Sequence, residues 1–249
     1  MKQLNRVKGI LFDKDGTLIE FEKFWHEVIK EVFFSLERAY DLDEDLVISL
    51  KQYSGVLEHG FKPESLIQYQ STSEIAKAWS LFLIEASEKI RLKYQGDSSA
   101  CANDLYSLID EISARGEFVA VSMPSAEVVL KRLKKEGFVL GIATADTKQS
   151  TIKSLKETGL LDYFDFLGCD DGTTLPKPNP NLGVAFEEAM RLKQGEYVMV
   201  GDSLSDYEFS KNCQIPFIGI RSHYGNLSDL KEDVQLIESL DELLEVFCE

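Results

Sequence analysis

The sequence predicts an α/β fold in which a Rossmann-like parallel sheet is covered by helices on both faces and carries an inserted all-helical domain. Two observations predict this fold. Apolar runs of strand length alternate with amphipathic stretches of helical period, which is typical of parallel sheets. In addition, residues 20–118, which follow the first apolar run, contain helical patterns and no convincing buried strand.

Four apolar runs are the predicted strands. Each holds four to six apolar residues without polar alternation, as expected of strands that are buried on both faces of a sheet. They are "VKGILFD" (7–13), "FVLGIAT" (138–144), "YVMVGD" (197–202) and "PFIGI" (216–220).

Amphipathic stretches at 124–137, 146–159 and 181–190 are the predicted helices between these strands. Each has apolar residues on one helical face, and the first two are followed by a glycine that is suited to end a helix. Asp146 and Gln149 are expected to form a capping box at the start of the second helix. Strands and helices in this order favour a sheet covered on both faces.

The long helical segment predicts a second domain. It contains "FEKFWHEVIKEVFFSLERAY", "SEIAKAWSLFLIEASEKIRL" and "NDLYSLIDEISA". The alternation of helix and strand resumes only near Pro124. We therefore expect residues 20–118 to be a helical lobe inserted after the first strand, and residues 1–19 and 119–249 to form the α/β core.

Composition narrows the function classes. The net charge of −16 argues against nucleic acids and anionic membrane surfaces as partners. Four scattered cysteines without a C-x-x-C pair favour reduced thiols over a disulfide framework or a zinc site. With no apolar run of 18 residues and no visible targeting signal, the expectation is a cytoplasmic protein, monomeric or dimeric.

Polar residues follow the predicted strands at positions where open α/β sheets place their ligands. The set comprises Asp13, Asp15, Thr144, Lys177, Asp202 and Asp206. Four converging carboxylates need a neutralising cation, and an all-oxygen ligand set beside phosphate favours Mg²⁺. Lys177 and the cation would attract an anion, Thr144 would donate a hydroxyl, and the Cβ-free Gly16 would let backbone N–H groups approach a phosphate. This chemistry is that of phosphoryl transfer through an aspartyl-phosphate.

Asp13 and Asp15 have separable roles. Because residues two apart in extended backbone point to the same side, both carboxylates are expected to face the site while Lys14 points away. Asp13 is the predicted nucleophile. Asp15 is expected to protonate the leaving oxygen and then to deprotonate the attacking water.

These residues resemble a known family. "DKDGTL" (13–18), Thr144, "KPNP" (177–180) and "GDSLSD" (201–206) resemble, in order, the four motifs of the haloacid dehalogenase-like phosphohydrolases, nearest to the phosphoglycolate phosphatase and β-phosphoglucomutase branch. The inserted helical segment is similar in placement to the small helical cap of that superfamily.

The resemblance implies a set of roles. Asp13 and Asp15 would be nucleophile and acid/base, and Thr144 and Lys177 would bind the phosphoryl group. Asp13, the Asp15 carbonyl and Asp202 would hold Mg²⁺. Asp206 would act through water or by orienting Lys177. Many relatives have asparagine after the threonine; Ala145 stands there in this chain, so any phosphate contact from that position must use the backbone. The roles of Asp170 and Asp171 in the next loop stay open.

The leading hypothesis is a Mg²⁺-dependent phosphatase for a small phosphorylated metabolite, phosphoglycolate-like or a sugar phosphate. A phosphomutase would share the core chemistry and differ only in the acceptor. Receiver domains of signalling proteins also place Asp, Thr and Lys at strand ends, but the chain length, Asp15 and the acidic pair in "GDSLSD" oppose that reading. A decayed relative that only binds is opposed by the retention of all four motifs.

Overall fold

Parallel strands form one sheet in the part of the chain that the structure, a computed structural model, describes: residues 4–63, 65–222, 227, 230 and 234–248. The strands are β1 (Gly9–Phe12), β2 (Val139–Thr147), β3 (Phe166–Asp170), β4 (Tyr197–Gly201), β5 (Phe217–Ile220) and β6 (Gln235–Ile237). Their spatial order is β3-β2-β1-β4-β5-β6, and every pairing is parallel. The predicted α/β class is confirmed.

Helices occupy most of the remaining described chain. Between β1 and β2 lie α1 (Phe21–Tyr40), α2 (Glu44–Ser54), α3 (Leu66–Tyr69), α4 (Thr72–Ala86), α5 (Glu88–Lys93), α6 (Ser98–Ser113) and α7 (Ala126–Lys135). The later helices are α8 (Lys148–Glu157), α9 (Asn181–Met190), α10 (Leu204–Cys213) and α11 (Glu242–Phe247), and short 3₁₀ turns lie at Leu4–Arg6 and Leu161–Tyr163.

The two faces of the sheet pack against different helices. Because side chains alternate along a strand, Ile10 and Phe12 of β1 belong to one apolar cluster and Leu11 to the other. The first cluster includes buried side chains of α7, α8 and α11, and the second includes Phe186 of α9 and Phe209 of α10. Both faces of the sheet are therefore covered, as the apolar runs predict.

Helices α1 to α6 follow β1 as one run, and α4 packs against α6. The buried Trp79 of α4 donates its indole N–H to the Ser54 hydroxyl at 2.7 Å, which links α4 to α2. The chain leaves and re-enters the core side by side: Glu20 donates its N–H to the carbonyl of Val121, and Met123 to that of Leu18, both at 2.8 Å. The two chain segments that connect the inserted helices to the core therefore lie next to each other.

Helix α8 begins later than expected. Strand β2 extends to Thr147, whose hydroxyl caps α8 by accepting the N–H of Ser150. The predicted capping box of Asp146 and Gln149 is therefore wrong: Gln149 donates its side-chain amide to Asp110 of α6 at 2.8 Å.

Two further expectations concern residue classes. The four cysteines are free thiols, as their scattered positions predict.

Within the described residues, each helix is too short or too polar to cross a lipid bilayer.

Candidate active site

The ends of three central strands bring together the polar residues that the sequence singles out. Asp13 follows β1 and donates its N–H to the Val200 carbonyl of β4 at 2.8 Å. Asp202 directly follows β4. Thr144 lies in β2 where the pairing with β3 shifts register, an irregularity that can re-aim side chains beside a site. With Lys177 from the loop before α9, they line one cavity.

Lys177 is fixed between two carboxylates. Its Nζ lies 2.6 Å from Oδ1 of Asp13 and 2.5 Å from Oδ1 of Asp206. The other oxygen of Asp206 accepts the N–H and the hydroxyl of Ser203, which caps α10. Burial works to lower the pKa of Lys177, but the two carboxylates outweigh it and raise that pKa above its usual range. Asp206 therefore orients Lys177, one of the two roles expected for it.

Three buried carboxylates meet beside Lys177. Oxygens of Asp13, Asp202 and Asp206 lie within 4.8 Å of one another. Burial raises the pKa of Asp13, although the Lys177 ammonium opposes the shift. Burial and the neighbouring Asp206 raise the pKa of Asp202 to about 7. Burial is the largest cause of both pKa shifts, and the neighbouring carboxylates add to it.

A hard divalent cation fits this cluster. The carboxylates of Asp13 and Asp202 supply oxygen ligands of the kind such ions prefer. The contacts with Lys177 and Ser203 occupy Asp206, so Asp13 and Asp202 are the better ligands. Asp202 is itself oriented by the Ser222 hydroxyl, which donates to its Oδ2 at 2.6 Å.

Gly16 lies beside Asp202, and its backbone closes a turn. Its N–H, expected near a phosphate, donates instead to the Ile19 carbonyl at 2.8 Å and closes the turn after Asp15. Its φ is +84°, and a Cβ at this position would overlap the Asp202 carboxylate. Glycine is required here because Asp202 occupies the space that a side chain would fill.

Lys14 is buried next to the cavity and binds two acids. Its Nζ lies 2.8 Å from Oδ2 of Asp15 and 2.8 Å from Oδ2 of Asp146. Burial works to lower the pKa of Lys14, but Asp146 and Asp15 outweigh it and raise that pKa. Asp13 and Asp15 line the cavity and Lys14 does not, as the alternation predicts. The ion pair between Lys14 and the Asp15 carboxylate was not predicted.

Asp146 is a site residue that sequence reasoning missed. It lines the cavity together with Thr144 and Ala145, and its N–H donates to the Thr144 hydroxyl oxygen at 3.1 Å. The available signal was its spacing: a residue two after Thr144 on the same strand points to the same side.

The cavity has a volume of about 90 Å³, and the inserted helices form part of its wall. Phe21 and Trp25 of α1 line it, together with residues 67–70 in and just after α3 and Thr72 and Ile75 of α4. Trp25 is buried and lines the cavity. Residues 67–70 are new to the site, since one helical turn gives no periodic signal.

Asp170 and Asp171, whose roles the sequence left open, make hydrogen bonds at the end of β3 and in the loop after it. Asp170 is buried, and its Oδ2 accepts the N–H of Ser73 in the first turn of α4 at 2.6 Å. Asp171 accepts N–H groups from Thr174 and Thr173 of its own loop, and these bonds lower its pKa to about 2. Asp170 thus joins the core to the inserted helices, and Asp171 shapes the loop that carries Lys177.

Known proteins resemble this chain over nearly its whole length. The model of the haloacid dehalogenase-like hydrolase family matches residues 7–214. A phosphoglycolate phosphatase of Shigella boydii is 23% identical, over 98% of this chain and 94% of that protein. A glyceraldehyde 3-phosphate phosphatase of Pyrococcus furiosus is 24% identical, over the same 98% and 94%. The crystal structure of CbbY from Rhodobacter sphaeroides in complex with phosphate has a TM-score of 0.62 at 18% identity, covering 95% of this chain and 96% of that one.

Proposed function

The chain belongs to the haloacid dehalogenase-like hydrolase family, and from this membership and the site geometry we propose that it is a Mg²⁺-dependent phosphatase for a small phosphorylated metabolite. The phosphatase relatives support the enzyme class. The observation that carries the proposal is the meeting of Asp13, Asp202 and Asp206 within 4.8 Å, with Lys177 paired to Asp13 and Asp206.

Asp13 is the proposed nucleophile. A carboxylate oxygen of Asp13 attacks phosphorus, the bond from phosphorus to the leaving oxygen breaks, and an aspartyl-phosphate forms. Lys177, 2.6 Å from Asp13 Oδ1, and the Thr144 hydroxyl hold the phosphoryl oxygens, with backbone contacts from Ala145. Asp13, Asp202 and the Asp15 carbonyl would hold Mg²⁺, which would neutralise charge on the phosphoryl group.

Asp15 is the proposed acid and base. In the first step it gives a proton to the leaving oxygen, and in the second it takes one from the water that attacks the aspartyl-phosphate. Its position on the cavity wall supports this role. The two contacts from Lys14, at 3.0 Å to Oδ1 and 2.8 Å to Oδ2, restrict the orientation of its carboxylate.

The inserted helices are the proposed cap. We take residues 20–118 as this domain and residues 1–19 and 119–249 as the catalytic core. The cap supplies the aromatic side of the cavity wall, so closure would exclude bulk water during transfer. The relatives leave the substrate undecided, because phosphoglycolate carries a carboxylate and glyceraldehyde 3-phosphate an aldehyde.

The test is hydrolysis of p-nitrophenyl phosphate with and without Mg²⁺. We expect Mg²⁺-dependent release of inorganic phosphate by the wild type and a loss of at least about 1000-fold in kcat for Asp13→Asn. Asp41→Asn is the matched control, because Asp41 is exposed and ion-paired to Lys89 outside the cavity. Activity of Asp13→Asn within tenfold of the wild type (about 1.4 kcal/mol in barrier height) would reject the nucleophile. A folded wild type that hydrolysed neither this ester nor small phosphorylated metabolites would reject the phosphatase, and isomerisation of a sugar phosphate in place of phosphate release would identify a mutase.

A further inference from the structure

The substrate class can be narrowed from the charges around the cavity. We propose that the leaving group of the substrate is uncharged, such as a small aldehyde, ketone or polyol, and carries neither a carboxylate nor a second phosphate. This inference rests on the proposed phosphatase function and specifies the substrate of that same site.

The cap supplies a neutral wall for the leaving group. Its apolar part consists of side chains such as Trp25, Ile67 and Ile75, and its polar part includes the carboxamides of Gln68 and Gln70. A carboxamide both donates and accepts hydrogen bonds, so it suits hydroxyl and carbonyl groups. Apolar walls with a few neutral polar groups are typical of sites for uncharged ligands.

The charged groups of the cavity are committed to the phosphoryl group. Among the described residues that line it, Lys177 is the one cation, facing the carboxylates of Asp13, Asp15, Asp146 and Asp202. Lys177 is already shared between two acids. An additional anion on the leaving group would meet carboxylates without a counter-ion of its own.

The second buried cation cannot serve the leaving group. Lys14 has no exposed surface, and its ammonium is bound by Asp15 and Asp146. Its position next to the cavity therefore adds no free positive charge to the wall. Moving it towards a substrate would leave Asp146, also buried, without its counter-charge.

The outer side of the cavity adds to this repulsion. A neighbouring depression shares Gln70 and Lys177 with the cavity and is lined by Glu74 and Glu208. A longer leaving group that extended in this direction would meet further carboxylates. Charge of one sign around a site discriminates against ligands of the same sign.

Matched substrates test the inference. Glycerol 3-phosphate and 3-phosphoglycerate share three carbons and a hydroxyl, and differ mainly in the terminal carboxylate. Glycolaldehyde phosphate and phosphoglycolate form a second such pair. We expect kcat/KM to be at least about tenfold higher for the neutral member of each pair. Equal or higher kcat/KM for the carboxylates would overturn the inference and leave the phosphatase intact.

A charge-introducing variant sharpens the test. Gln68→Lys places a cation in the cap wall and should move the neutral-to-carboxylate ratio at least about tenfold towards the carboxylate. Gln52→Lys, on an exposed position of α2, is the matched control and should leave the ratio unchanged. An unchanged ratio in Gln68→Lys would overturn the placement of the leaving group. Failure of the wild type to hydrolyse any of the four esters and p-nitrophenyl phosphate would overturn the proposed function itself.

Discussion

Replacing Lys14 by methionine is expected to destabilise the protein by about 3–5 kcal/mol, the range found when one partner of a buried ion pair is removed. Methionine keeps the length and the apolar stem of lysine and removes the charge. The variant would leave Asp146, with 1% of its side chain exposed, without its counter-charge, and Asp15, with 15% exposed, without its support.

The expected loss of stability is the balance between the attraction within the ion pairs and the cost of dehydrating the charged groups. Two contacts of 2.8 Å join Lys14 to Asp15 and Asp146, and each is worth about 6 kcal/mol at an effective dielectric constant of about 20. Dehydration of the three groups offsets most of this, at several kcal/mol for each ion. The loss in the variant arises because Asp146 remains dehydrated after its attraction to Lys14 is gone.

Thermal unfolding at pH 8 is the assay. For a chain of this length, 3–5 kcal/mol corresponds to a fall in Tm of about 6–20 °C. Lys134→Met is the control: its ion pair with Asp165 is about one-third exposed and should contribute less than about 1 kcal/mol. Lys14→Met/Asp146→Asn should recover at least about 2 kcal/mol, because no deeply buried charge is left unpaired. A single variant as stable as the control, or a double variant less stable than the single one, would refute the reasoning.

Two further substitutions probe the carboxylate cluster and the link between the core and the inserted helices. Gly16→Ala should weaken Mg²⁺ binding at least about tenfold, because the added Cβ would displace the Asp202 carboxylate. Isothermal titration calorimetry measures the Mg²⁺ affinity, and an unchanged affinity would show that the carboxylate is not displaced. Asp170→Asn should lower thermal stability by about 1–2 kcal/mol and raise KM. The reason is that the single amide oxygen of asparagine must then accept the N–H groups of both Ser73 and Gly172. Wild-type values of both Tm and KM would show that Asp170 does not position the cavity wall.

The central strands were predictable from sequence and the outer ones were not. Strands β1 and β4 are buried at every position, so each is a continuous apolar run in the sequence. Strands β3 and β6 lie at the edges of the sheet, and several of their residues are partly exposed. An edge strand needs apolar residues at fewer positions. The sequences of β3 and β6 therefore contain no apolar run that distinguishes them from loop segments.

The candidate site shows the same division. Asp13, Thr144 and Asp202 were predicted from strand ends and Lys177 from the loop before α9, and all four line the same cavity. The contact of Lys14 with Asp146 joins residues 132 positions apart (14 and 146), and local patterns carry no information on such pairs.

Two carboxylates connect the inserted helices to the core beside the cavity. Asp170 of the core binds the first turn of α4 through Ser73, and α4 begins two residues after Gln70 on the cavity wall. In the opposite direction, Asp110 of α6 accepts hydrogen bonds from Thr147 at 2.5 Å and Gln149 at 2.8 Å, at the start of α8. The core and the inserted helices thus each provide an acid near the N-terminus of a helix in the other, where negative charge is favourable. Both helices begin within a few residues of the cavity, so these hydrogen bonds hold the inserted helices against the core beside the site.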